Sequence, residues 1–141
     1  MVLLALLAWV CACPCRAALG GNQASVLGEQ QAWGATLAIS VLPDVTLYSL
    51  TLGNGVTVRE YVNRAGTVFA IGWDGPVLPD FQRLVAGFYS SYQKAVRGQP
   101  HGVSLNTPEL VLESGGRMRA FMGRAYLPAK VPASIKVNDI H

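Results

Sequence analysis

Two groups of side chains in this sequence carry chemistry by type and spacing. Asp74 and Asp80 flank the turn G-P-V-L-P beside Trp73. Carboxyls brought together there would make an acid/base pair, because neighbouring environments push two such groups apart in pKa. Each also has a simpler use, Asp74 as a turn residue and Asp80 as a negative charge in a first helical turn. Arg117, Arg119 and Arg124 form the second group, with Arg59 on a separate strand. The planar fork of arginine suits a carboxylate or phosphate, so an anionic ligand is the partner this group would recognise. The structural alternative is cross-strand ion pairing with Glu60, Glu109 and Glu113, at ~0.2–1 kcal/mol per pair.

Strand alternation places Arg117 and Arg119 on one face and Arg124 on the other. A bulge at Gly123 would bring Arg124 round to complete a three-arginine site. Without one, Arg124 needs a partner on the opposite face, and Glu60 is the candidate. A two-residue Gly115-Gly116 loop would set Glu113 opposite Met118.

Other chemistries lack their residues. The sequence contains no G-x-S-x-G, H-E-x-x-H, P-loop or dinucleotide fingerprint. Its cysteines, Cys11, Cys13 and Cys15, all precede residue 18, and its histidines are His101, in a Pro-Gly loop, and His141. No catalytic residue, metal site or cofactor is assigned. Tyr48, Tyr61, Tyr89, Tyr92 and Tyr126, with Trp33 and Trp73, could line a groove, although aromatics in so apolar a chain more often build core.

The elements that must position these residues are legible by period. Phe81, Leu84, Val85, Phe88, Tyr92, Ala95 and Val96 recur as one face of a helix. Pro79 suits the first helical position, Lys94 and Arg97 the last turn, and Gly98 the end, predicting one long amphipathic helix over 79–97. Thr67 to Trp73 alternates, with Phe69, Ile71 and Trp73 on one face and Val68, Ala70 and Gly72 on the other. Strands are also predicted at 36–41, 45–52 and 56–62, the last two joined through Asn54-Gly55. A hairpin of 110–113 with 117–127 follows a loop over 99–108. The expected fold is α+β: an antiparallel β-meander plus a C-terminal β-hairpin, with the long helix packed on the sheet.

Residues 1–17 have the apolar run and small-residue end of a signal peptide, cut after Ala17. A lipoprotein acylated at Cys13 is the lesser alternative. Residues 18–35 read as an extended N-terminal arm and 36–141 as a single α+β domain. The chain is 51% apolar and 13% charged, which supports a core. Its net charge of +3, one unit less without Arg16, does not supply the basic stripe that nucleic acid requires. After signal removal no stable transmembrane span is expected, and the destination is periplasmic or secreted.

Four blocks carry a resemblance: V-R-E-Y-V at 58–62, G-T-V-F-A-I-G-W-D-G-P at 66–76, L-P-D at 78–80 and G-G-R-M-R-A-F-M-G-R-A-Y-L-P at 115–128. With A-L-G-G at 18–21, the chain resembles the bacterial domain-of-unknown-function family 2844 over nearly its whole mature length. The resemblance implies a small exported protein and brings no activity or site residue with it.

Together these features describe an exported, non-enzymatic module that binds an envelope protein or an anionic ligand. The alternative is a small-ligand or weakly hydrolytic pocket using Asp74, Asp80 and strand arginines. A closed core between helix and sheet favours the first. A solvent-connected cavity of several hundred Å³ with converging polar groups favours the second.

Overall fold

The computed structural model describes residues 19–99 and 102–141, so the expected signal peptide and His101 lie outside the described residues. The chain is α+β. Its strands are β1 (Thr36–Val41), β2 (Val45–Thr51), β3 (Thr57–Asn63), β4 (Val68–Gly75), β5 (Val103–Asn106), β6 (Val111–Arg117) and β7 (Ala120–Tyr126). They form one seven-stranded sheet in the order β1-β2-β3-β4-β7-β6-β5, with every pairing antiparallel. The meander β1 to β4 follows the predicted strands closely. Gly55 closes its second turn at φ 86°, a left-handed conformation that glycine takes freely, while the Asn54 side chain accepts from the Val56 N–H.

Helix α1 (Gln23–Trp33) replaces the extended arm expected over 18–35. Asn22 caps its start by accepting from the Ser25 N–H at 3.0 Å, and Gly34 ends it at φ 58°. The helix buries only Ser25, Val26 and Glu29, so the apolar stripe that marks most helices is missing from its sequence.

The long helix expected over 79–97 is broken into three pieces. Helix α2 (Phe81–Leu84), a 3-10 turn at Ala86–Phe88 and helix α3 (Tyr89–Val96) follow one another. Val85 and Phe88 take non-helical backbone angles on either side of Gly87. The kinks let Phe81 stack on Tyr92 at 4.6 Å while its other side meets Trp73 edge-on at 5.0 Å. Residue 80, not 79, starts the element: Asp80 Oδ1 accepts from the Gln82 and Arg83 N–H groups.

These helices cover one side of the sheet. Val58, Ile71, Trp73, Leu112 and Ala125 from the strands pack there with Val26, Phe81, Leu84 and Val85. The opposite side is covered by the C-terminal tail, where Ile140 is buried with Val45, Tyr61, Phe69 and Ala70. Phe69 therefore faces away from Trp73, contrary to simple alternation. The pairing of β3 with β4 shifts between Tyr61 and Val62, and the extra residue resets the period. With both sides covered, β4 is buried from Val68 to Trp73, as a central strand between two layers should be.

The C-terminal hairpin is longer and differently placed than expected. Its turn lies at Met118-Arg119, where Arg119 has φ 64°, and Gly115 and Gly116 belong to β6. Residues 103–106 of the predicted loop form the outer strand β5.

Candidate functional site

Three adjacent strands bring Arg59, Gly72 and Arg124 into one row on the tail side, because Arg59 pairs with Gly72 and Gly72 with Arg124. Glu113 continues the row beyond Arg124. Gly72 is required at the centre: a Cβ there would stand 2.5 Å from the backbone carbonyl of His141. The chain end thus lies directly over the gap between two arginines.

Each arginine binds one carboxylate and one carbonyl of the tail. Arg59 Nη1 donates to Asp74 and to the His141 carbonyl at 3.3 Å. Arg124 donates from Nε to Glu113 Oε2 and from Nη1 to the Val137 carbonyl, both at 2.8 Å. Tyr61 Oη lies 3.4 Å from the His141 N–H, which donates to it. The Asp74 and Glu113 side chains are 47% and 50% exposed, whereas the arginines are about half as open. Around these groups lies an open groove of about 840 Å³, bounded also by Ser104, Met122 and Ile140. A second hollow of about 530 Å³, beside Thr107 and Val131, is lined without an acidic or basic side chain.

The groove unites Trp73, Asp74 and Arg124 from the sequence-derived candidates. Trp73 borders it, although its ring packs on the helix side against Phe81 and close to Gly123, leaving the residue 1% exposed. The other three lie elsewhere. Asp80 caps α2 and sits 3.6 Å from Arg83. Arg117 and Arg119 are exposed at the hairpin tip, apart from Arg124. The β6–β7 register runs through Gly123 without a bulge, so the three arginines do not converge. Glu60 is not the partner of Arg124. Glu113 is, because moving the turn to residues 118–119 brings Glu113 opposite Arg124 and not opposite Met118. Arg59, the second arm of the row, was visible in the sequence only as an arginine on another strand.

Glu60 instead belongs to a second polar feature, on the helix side. It is 1% exposed, and Glu29 of α1 beside it is 6% exposed. Neither Glu60 oxygen has a donor from a basic or hydroxyl group among the described residues. One Glu29 oxygen, Oε2, is equally without a partner, so both carboxyls sit buried and under-satisfied, a setting that favours the neutral form. Burial pushes Glu29 up to about 8, with the charge of Glu60 adding to the rise and Arg83 opposing it. Burial likewise pushes Glu60 up to about 7, with the neighbouring Glu29 carboxyl opposing the rise. Burial thus raises both carboxyls of the pair above the ordinary range. The signal for Glu60 was present in the sequence, since it occupies the same-face position between Val58 and Val62. Its partner was hidden because residues 18–35 read as an arm.

Among the described residues no group of three or more acidic, histidine or cysteine side chains is placed to hold a metal ion. Nor is any described helix long and apolar enough to cross a membrane. Fold and site thus define an α+β protein with a seven-stranded antiparallel sheet and a charge-lined groove on one side. The chain belongs to the family described as Protein of unknown function (DUF2844), whose profile matches residues 15–140. No curated protein and no solved structure matches it.

Proposed function

We propose that this is an exported, periplasmic or secreted binding module without catalytic machinery, whose groove takes an anionic ligand across Arg59 and Arg124. The observation that carries the reading is the Arg59–Gly72–Arg124 row, with both arginines lining one groove. Half-exposed ion pairs are worth only ~0–1 kcal/mol, so Asp74 and Glu113 can be exchanged for a ligand carboxylate at little cost. Each guanidinium has five N–H donors, enough to keep a tail carbonyl while accepting a new partner. A ligand with two acidic groups would gain from both arginines at once, which neither resident carboxylate does. The absent basic stripe argues against nucleic acid as that ligand.

Calorimetric titration of the full chain with citrate, a tricarboxylate, tests this. Binding that is lost in Arg59→Gln and in Arg124→Gln, and kept in Arg117→Gln at the hairpin tip, is expected. Equal loss in all three variants, or unchanged binding in the groove variants, would overturn the assignment.

A further inference from the structure

The two edges of the sheet are treated differently. The outer edge of β5 is occupied: the Gln99 side-chain amide donates to the Ser104 carbonyl at 3.1 Å and accepts from its N–H at 2.8 Å, as a neighbouring strand would. At the other edge, β1 reads T-L-A-I-S-V, without a charge, proline or glycine, and pairs with β2 in an unbroken register. Among the described residues no side chain hydrogen-bonds to its backbone. Ile39 is 52% exposed and Val41 80%. Open edges are normally blunted by charge, proline or bulges, and β1 has none of these devices.

The direction of its free backbone groups follows from the turn. The Leu42 N–H bonds to the Val45 carbonyl at 2.8 Å, so Ser40, Ala38 and Thr36 are the residues that exchange bonds with β2. Leu37, Ile39 and Val41 therefore turn their N–H and C=O groups outward. Their side chains lie on the helix side, opposite Leu50, Tyr48 and Thr46.

We infer that β1 is a dimerisation edge, joining antiparallel to β1 of a second copy about a two-fold axis through Ile39. An axis perpendicular to the sheet keeps helix side with helix side. Outward groups must meet outward groups, which excludes every register displaced by a single residue. Centring on Ile39 sets Ile39 against its symmetry mate and Leu37 against Val41, in an apolar row. Ala38 then meets Ser40 on the other side. Registers slid by two residues also match outward groups. Only the one centred on Ile39 pairs all of Leu37, Ile39 and Val41 with one another and so covers the exposed apolar side chains. Self-pairing brings no like charges together, which is what an isologous contact demands. The groove, built on β3, β4, β6 and β7, stays open in this dimer.

Light scattering on the full chain is expected to show twice the 15.0 kDa chain mass at high concentration. Hydrogen exchange gives the register: Leu37, Ile39 and Val41 amides gain protection with concentration, whereas Ala38 and Ser40 are protected throughout. Ile39→Pro removes an outward donor and the central apolar side chain but no hydrogen bond to β2, so it should give a monomer with an unchanged circular dichroism spectrum. Ile39→Lys serves as the second variant and should weaken the dimer at least tenfold. A monomer at every concentration would overturn the inference. So would a dimer that survives both variants, or one that leaves the three amides unprotected.

Discussion

The two sides of the sheet solve different problems with the same strands. On the helix side, Trp73, Ile71, Val58 and Leu84 are buried, and burial raises the pKa of the two carboxyls found there, Glu29 and Glu60. On the tail side, the acidic side chains are half-exposed and paired, each arginine bridging one of them and a tail carbonyl. Burial decides the difference. Taking a carboxyl out of water without a basic partner disfavours its charge, whereas a half-exposed one can pair with an arginine at the surface. Stability is concentrated on the first side and exchangeable contacts on the second.

The largest effect should come from the helix side. Trp73→Ala removes a ring that touches both Phe81 and the backbone under Gly123, and is expected to cost ~3–5 kcal/mol in urea unfolding. Phe88, central to the helical stripe in the sequence, is only half-buried at the 3-10 turn, so Phe88→Ala should cost clearly less. Equal losses would erase the distinction between the continuous stripe and the kinked element.

The carboxyl pair gives the next effect, through pH. Both groups titrate higher when folded than the ordinary value of 4.5, so the folded chain binds more protons between that value and about 8. Their contribution is fully present below pH 4.5 and is lost as pH rises through about 7 and 8. A fall on the order of a few kcal/mol is expected over that window. The double variant Glu29→Gln with Glu60→Gln should flatten the melting temperature across it. A wild-type melting temperature that rises from pH 5.5 to 8.5 would contradict the raised pKa of this pair.

Gly72→Ala separates the sides more finely. Its Cβ would collide with the His141 backbone on the tail side and reach nothing in the helix-side core. A cost of ~1–3 kcal/mol, with faster proteolysis of residues 137–141, is the expected result. Unchanged proteolysis would mean that the tail is not seated as described.

How much of this was legible depends on which physics fixes each part. The meander, the Asn54-Gly55 turn and the α+β class follow from local period and turn chemistry, and the sequence showed them. The break at Val85–Phe88 did not show, because the stripe from Phe81 to Val96 is equally compatible with an unbroken helix. Helix α1 carries its signals only at the ends, in Asn22 and Gly34. The row of Arg59, Gly72 and Arg124 depends on register across three strands. Moving one turn from Gly115-Gly116 to Met118-Arg119 was enough to assign Arg124 the wrong glutamate.

The smallest stability effect should be the one that matters for function. Exchanging Arg124 for Gln removes a half-exposed pair and a tail bond, with a cost of ~1 kcal/mol or less from the pair. The most direct test combines that variant with Arg59→Gln and follows two quantities in one preparation: melting temperature, and citrate binding by calorimetry. The division between the two sides predicts a melting temperature shifted by only a few degrees and citrate binding lost. Collapse of the fold, or citrate binding kept at full affinity, would contradict it.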